Sequence, residues 1–188
     1  MLMVASILLG LALVAPAGGS YRRLSRAHVR WSGLFLLGAI AQFVFTPMLA
    51  GEGSRVGPTT AWVLGALLLI AACAANAQRS GFVVAALGVS LNLLVILVNT
   101  GMPVYPGALE AAGAGSFVID PGTIYHVAHA STRLIVLADV VPVPGPPGIR
   151  SIGSLGDLLL CVGVVAAILQ FATLGPSSAD RPGRGSPR

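Results

Sequence analysis

Apolar residues along this chain gather in five long runs, separated by short polar connections and one long one. The runs are Met1–Gly18, Trp31–Ala50, Thr59–Ala77, Gly81–Val98 and Leu155–Leu174. Each approaches the roughly 17–25 residues that cross a hydrocarbon core. Helix is the only single-segment form that satisfies its own backbone there. The pattern therefore predicts an all-α membrane protein, a bundle of five transmembrane helices. Pro16 and the glycines after it weaken the first run, and Pro47 is expected to kink or end the second. Residues 1–98 would supply four helices and residues 155–174 the fifth. The Pro-, Ser-, Gly- and Arg-rich stretch 175–188 reads as a disordered cytoplasmic tail.

The long connection, residues 99–154, breaks the pattern. It is too long for a turn between helices and too apolar for a disordered loop, and long loops in compact proteins usually carry function or stay disordered. Within it, Asp120–Arg133 is expected to form a short helix at the membrane interface. Leu134–Val143 is β-branched and apolar and reads as extended, while Pro142, Pro144, Pro146 and Pro147 exclude helix after it. An extended segment cannot face lipid with an unpaired backbone. The expectation is a small extended, β-like subdomain on the outer face, paired as a sheet or folded back onto the bundle.

Composition agrees with a lipid-embedded chain. Of 188 residues, 55% are hydrophobic and only 9% charged, with a mean hydropathy of +0.88. Soluble domains carry about 25% charged residues. All basic residues are arginine, and the net charge is +5. Such a charge on a soluble protein would suggest nucleic acid. Here the arginines sit in short loops and the tail, which points to topology and anionic headgroups and not to a nucleic-acid partner. Arg22, Arg23, Arg26 and Arg30 share one loop, which should be cytoplasmic. Arg79, Arg181, Arg184 and Arg188 then fall on the same side, leaving Arg55, Arg133 and Arg150 outside. That gives a multi-pass membrane protein with its N-terminus outside and its C-terminus on the cytoplasmic side; the bacterial cytoplasmic membrane is implied by the resemblance given below. The first apolar run has no basic residue before it and four arginines after it, the reverse of a secretory signal, so it reads as a retained helix. Cys73 and Cys161 lie inside apolar runs and behave as small hydrophobes.

Candidate chemistry concentrates on two acids. Asp139 stands in Leu137-Ala138-Asp139-Val140-Val141-Pro142, and Asp157 near the start of the last helix, in Ser154-Leu155-Gly156-Asp157. Carboxylates at such depth are costly and are functional candidates by default. Brought together they would share a proton, one acting as base and the other as acid. The alternative is structural: Asp157 would favour the positive end of its helix dipole and close a capping box with Ser154, and Asp139 would pair with Arg133 or Arg150. His126 and His129, with Asp120 nearby, have the residue types of a zinc site but no supporting pattern, so no metal and no cofactor is expected. They serve better as hydrogen-bonding or proton-relaying groups. Asn99 and Gly101, before Pro103, suit a helix stop, and Asn99 can also offer its amide to an outer polar site. Asn92 and Gln42 lie deeper, where interhelical hydrogen bonds are the ordinary role.

Asn99-Thr100-Gly101-Met102-Pro103-Val104, Ala108-Leu109-Glu110-Ala111-Ala112-Gly113, Leu137-Ala138-Asp139-Val140-Val141-Pro142 and Ser154-Leu155-Gly156-Asp157 together resemble an uncharacterised bacterial membrane family, domain of unknown function 5317. The resemblance implies about five helices and no particular activity. A shorter stretch, Asp139-Val140-Val141 and then Leu155-Gly156-Asp157-Leu158-Leu159-Leu160-Cys161-Val162-Gly163, is similar to the end of signal peptidase II, an intramembrane aspartyl enzyme. That similarity implies a dyad of Asp139 and Asp157, with Asn99 and Gly101 matching an Asn-x-Gly strand. The helices that separate those segments in the enzyme, and its Gly-Asn-x-x-Asp-Arg motif, are missing here. Three readings follow. The first is a membrane protein whose outer polar pocket (Asn99, Gly101, His126, His129, Arg133) recognises a small molecule, a membrane protein or a lipid-linked partner. The second is an aspartyl hydrolase, and the third a proton-linked transporter, which the scarcity of ionisable residues in the helix interiors disfavours.

Overall fold

The computed structural model describes residues 2–51, 54–115, 118–146 and 150–174, so the expected tail at 175–188 lies outside the described residues. The chain runs α1 (Leu2–Leu13), the single turn α2 (Tyr21–Leu24), α3 (Ser32–Ile40), a π-helical turn (Ala41–Phe45), α4 (Thr46–Met48), α5 (Val56–Ala75) and α6 (Ser80–Asn99). There follow β1 (Met102–Val104), α7 (Pro106–Ala111), β2 (Tyr125–Val127), a 3-10 turn (Ile135–Leu137), β3 (Val141–Val143), β4 (Ser151–Gly153) and α8 (Leu155–Thr173).

Three helices, α5, α6 and α8, are long and apolar enough to cross a membrane, not the five that the runs suggested. The two others fail for local reasons. The residue before a proline avoids helical backbone; α1 stops at Leu13, three residues short of Pro16, and turns out through Gly18 at φ 71°. Its 12 residues reach only about 18 Å. The second run is broken at Pro47, which has no N–H to donate and crowds the carbonyl four residues back. The helix widens into the π turn just before it. The Thr46 N–H bonds to Ala41 O, and its hydroxyl donates to the same carbonyl at 3.0 Å. The helix then ends at Met48.

α6 is the centre of the bundle and packs antiparallel on α8. Gly81, Ala85, Gly88 and Asn92 face Gly156, Leu160, Gly163 and Ala167 along the seam. A Cβ on Gly81 would lie 2.7 Å from Ala167 Cα, and one on Gly88 would meet Gly156 O and sit 2.6 Å from Leu160 N. Small residues let two backbones approach where lipid gives no hydrophobic drive to associate. α3 and α5 repeat the device at Gly38 and Gly65, and α1 leans on α8, with Gly10 against Ile168.

The loops sort into two faces. At one end, Ser20 N–H bonds to Ala172 O (3.0 Å) and Asn76 clamps the Arg30 backbone through both amide atoms (2.9 and 2.8 Å). This face carries Arg22, Arg23, Arg26, Arg30 and Arg79, the last stacked 4.1 Å over the Phe171 ring. Residues 100–154 form a cap at the other end. It holds two small sheets: β1 pairs with β2 in parallel, and β3 pairs with β4 antiparallel. The expected helix at Asp120–Arg133 is absent, replaced by β2 and turns, because β1 offers that stretch a paired backbone. Leu134–Val143 is not extended throughout: it opens on the 3-10 turn before it reaches β3. Cys73 and Cys161 are free thiols, and Cys73 packs with Phe82, Ala85 and Phe171.

Candidate functional site

Asp139 is delivered by a chain of fixed points. Asn99, the last residue of α6, holds Arg133 through two hydrogen bonds: its Nδ2 donates to Arg133 O (3.0 Å) and its Oδ1 accepts from Arg133 N (2.9 Å). Leu134 then takes a left-handed conformation at φ 54°, and the 3-10 turn leads to Ala138, fully buried among Val95, Ile96 and Met102. Asp139 docks beside β1: its N–H bonds to Pro103 O and its carbonyl accepts from Tyr105 N, each at 3.0 Å. β1 thus has β2 on one side and Asp139 on the other.

The β3–β4 hairpin then returns the chain. Val141, two residues after Asp139, pairs with Gly153, four residues before Asp157. The register therefore brings the two acids to one end of the hairpin, and Asp139 senses the charge of Asp157. At α8 the box closes fully: Ser154 Oγ accepts from Asp157 N and Asp157 Oδ2 accepts from Ser154 N, both at 3.0 Å. Asn92 on α6 adds the third corner, its Nδ2 donating to Asp157 Oδ1 (2.8 Å) and its Oδ1 accepting from Ser154 Oγ (2.7 Å).

The two acids occupy opposite environments. Asp157 accepts hydrogen bonds on both oxygens, from Asn92 Nδ2 and from Ser154 N. Asp139 is 6% exposed, and its Oδ1 is buried without a hydrogen-bond partner. Burial first, and then the negative charge of Asp157, hold its carboxyl well above the usual carboxylate range. The expected pairing with Arg133 or Arg150 does not occur; Asp139 makes no side-chain hydrogen bond or ion pair among the described residues. Tyr125 on β2 lies in the same field: burial and then the charges of Asp139 and Asp157 push its phenol up to about 12, so it remains a hydrogen-bond donor.

The other sequence candidates are partly dispersed. Gly101 (φ 145°) sits where a Cβ would strike Ile124 O, which lets β1 close on the chain entering β2. His126 is on that strand, half-buried, with Nδ1 unpartnered; burial, then Arg55 and His129, lower its pKa. His129 and Arg133 are exposed on the cap surface. The helix expected to carry His126 and His129 does not form, and Asp120, His126 and His129 do not gather into a metal-binding set among the described residues. Asn92 and Tyr125 were missed as site residues. Asn92 was legible only as one more polar residue in an apolar run, and nothing in the sequence around Tyr125 announced a strand beside β1.

The profile of the family of unknown function DUF5317 matches residues 26–169, which include every element from α3 to the middle of α8. The chain belongs to that family. No curated protein and no solved structure matches it. The DUF5317 match spans both acids, Asn92 and the whole cap, so the cluster belongs to the family-matched part of the chain.

A cavity of about 260 Å3 adjoins the cluster on the Tyr125 side, lined by Gln42, Phe43, Thr46, Pro47, Trp62 and residues 123–125 among others. It lies between the π turn, α5 and the entry to β2.

Proposed function

We propose that this membrane protein recognises a small or lipid-linked ligand at its cap, and that the buried, unpartnered carboxyl of Asp139 makes the deciding contact. The observation that carries this reading is the orphaned Asp139 oxygen, buried beside a fully bonded Asp157. A buried polar atom without a partner costs about 1–3 kcal/mol. A ligand group that satisfies it recovers that energy. A protonated carboxyl both donates and accepts, so it suits an ester, amide or hydroxyl. The arginines support reading the cap as the outer face: Arg22, Arg23, Arg26, Arg30 and Arg79 on one face against Arg55, Arg133 and Arg150 on the other favour the first as cytoplasmic.

The unlike environments of the two acids favour a second reading, an aspartyl hydrolase of the kind that the local similarity to signal peptidase II suggests. Asp157 would take a proton from water as its oxygen adds to a carbonyl carbon, and Asp139 would give a proton to the carbonyl oxygen. One experiment separates them. Wild type, Asp139→Asn and Asp157→Asn are purified in nanodiscs formed directly from the native membrane and weighed by native mass spectrometry. A bound species lost in Asp139→Asn, with no change in the membrane's lipids and proteins, supports recognition. A cleaved product that needs both acids supports hydrolysis. Identical spectra for all three chains refute both.

A further inference from the structure

The second run of the sequence was expected to use Gln42 for an interhelical hydrogen bond, and the structure leaves that amide idle. Gln42 Nε2 is buried and has no partner. It belongs to the π turn that Pro47 forces, and it lines the cavity beside Tyr125. π turns inside helices often mark functional sites. In water a bound solvent molecule would satisfy the amide; in a hydrocarbon core no such molecule is at hand, and each unsatisfied group costs several kcal/mol.

The surroundings say what could satisfy it. Phe43, Pro47, Ala50, Trp62 and Ile124 make the walls apolar, and Phe43 is 64% exposed at the mouth, where only acyl chains can lie against it. Thr46, Thr123 and Tyr125 supply hydroxyls toward the cap. Gln42 lies six residues before the helix end at Met48, about 9 Å into the membrane from the cap side, the depth at which interfacial groups meet acyl chains. At about 260 Å3 the cavity is smaller than the usual 300–1,000 Å3 of drug-sized ligands; it holds part of a lipid, not all of one. An apolar chain with a hydrogen-bond acceptor at one end matches every wall.

From this geometry we infer that the cavity binds one acyl chain of a diacyl glycerolipid from the surrounding leaflet, with Gln42 Nε2 donating to its ester carbonyl. Tyr125 lines the cavity and also senses the charge of both acids, which puts the polar end of the lipid on the side of the cavity that faces them. This deepens the reading of the cap as a ligand site and rests on it only for the role of Asp139. The ligand of the protein is then a membrane lipid, held by a groove for the tail and an acid for the polar end.

The test uses the full chain in nanodiscs of phosphatidylethanolamine and phosphatidylglycerol, doped with a phosphatidylcholine whose one acyl chain carries a diazirine. After illumination, crosslinks are mapped by peptide mass spectrometry. Crosslinks should concentrate on Phe43, Pro47, Trp62 and Ile124, well above the lipid-facing Leu64, Leu87 and Leu97. Ala50→Trp, which fills the cavity, should remove them. An ether-linked probe without the carbonyl should label about fivefold less, the worth of one hydrogen bond, and Gln42→Leu should abolish that difference while the chain still folds. Even labelling of all lipid-facing residues, or labelling indifferent to Ala50→Trp, overturns the proposal. Equal labelling by ester and ether probes overturns the role of Gln42. Asp139→Asn should weaken the crosslinks together with the bound species in native spectra; if both persist while Ala50→Trp still removes the crosslinks, the cap reading fails and the groove stands.

Discussion

Asn92 is the residue on which the geometry of Asp157 rests, and replacing it by leucine gives a measurable consequence. Leucine keeps the branched shape of asparagine but is larger and cannot hydrogen-bond, so crowding in the α6–α8 seam adds to the loss of the bonds. Two bonds are lost. The donation to Asp157 Oδ1 at 2.8 Å is charge-assisted, a class worth about 1.5–3 kcal/mol. The acceptance from Ser154 Oγ at 2.7 Å is neutral and worth about 0.5–1.5 kcal/mol. Interhelical bonds measured within membranes average only about 0.6 kcal/mol, because the separated helices find other partners. Ser154 and Asn92 are both buried, at 0% and 5% exposure, so few substitutes reach them. The expected loss is therefore about 2–3 kcal/mol, between the two limits.

The assay is reversible unfolding in mixed micelles, followed by helical circular dichroism, on wild type, Asn92→Leu, Ser154→Ala and the double variant. Because the three residues form one ring of bonds, the double variant should cost about 1 kcal/mol less than the sum of its parts. A loss below about 0.5 kcal/mol for Asn92→Leu, or strict additivity with Ser154→Ala, would refute the reasoning that this ring holds α6 to the start of α8.

Two further outcomes follow from the same geometry. The folded-state pKa of Asp139 is raised by burial and by Asp157, so its contribution to stability is fully present below its unfolded pKa and is lost as pH rises through the folded value; the difference in denaturation midpoint between wild type and Asp139→Asn should shrink over that range, the other titrating groups being common to both. Gly88→Ala should cost about 1–3 kcal/mol in the same unfolding assay, since its Cβ would meet backbone of Gly156 and Leu160 that cannot move aside; Gly33→Ala, which meets nothing within 4 Å, is the control and should be neutral.

Much of the cluster could be read in advance, and the reasons differ by residue. The Ser154-x-x-Asp157 box is a local device encoded within four positions, so the sequence displays it directly, and the structure closes it. That the chain could return from Asp139 to Asp157 was also legible, because the linker between them is long enough to double back. What the linker could not reveal was register, and register is what matters here: the Val141↔Gly153 pairing decides that the two acids lie toward the same end of the hairpin. The helix expected at Asp120–Arg133 failed for a related reason. Its three-residue strand β2 is stabilised by β1, a partner more than 20 positions away, and no local propensity carries that information. The count of membrane spans failed differently. Apolar composition was read correctly, but composition says nothing of where the backbone breaks, and Pro16 and Pro47 shorten two of the runs.

The orphaned oxygen of Asp139 is more than an imperfection of packing, because the rest of the cap spends stability to keep it there. Thr100 and Leu134 both adopt left-handed backbone, at φ 55° and 54°, which for residues with branched or bulky side chains costs on the order of 1 kcal/mol or more each. They flank the Asn99–Arg133 clasp on either strand of the chain, and the clasp sets the turn that seats Ala138 and presents Asp139. A purely structural acid would be expected to move by a rotamer and find a donor, or to be replaced by an apolar residue that fills the same space at less cost. Instead the backbone on both sides of Asp139 is fixed by hydrogen bonds to β1, with the acid held in the field of a second carboxylate. Broken local rules gathered at Thr100, Leu134 and Asp139 are the pattern that supports the proposed ligand site at the cap.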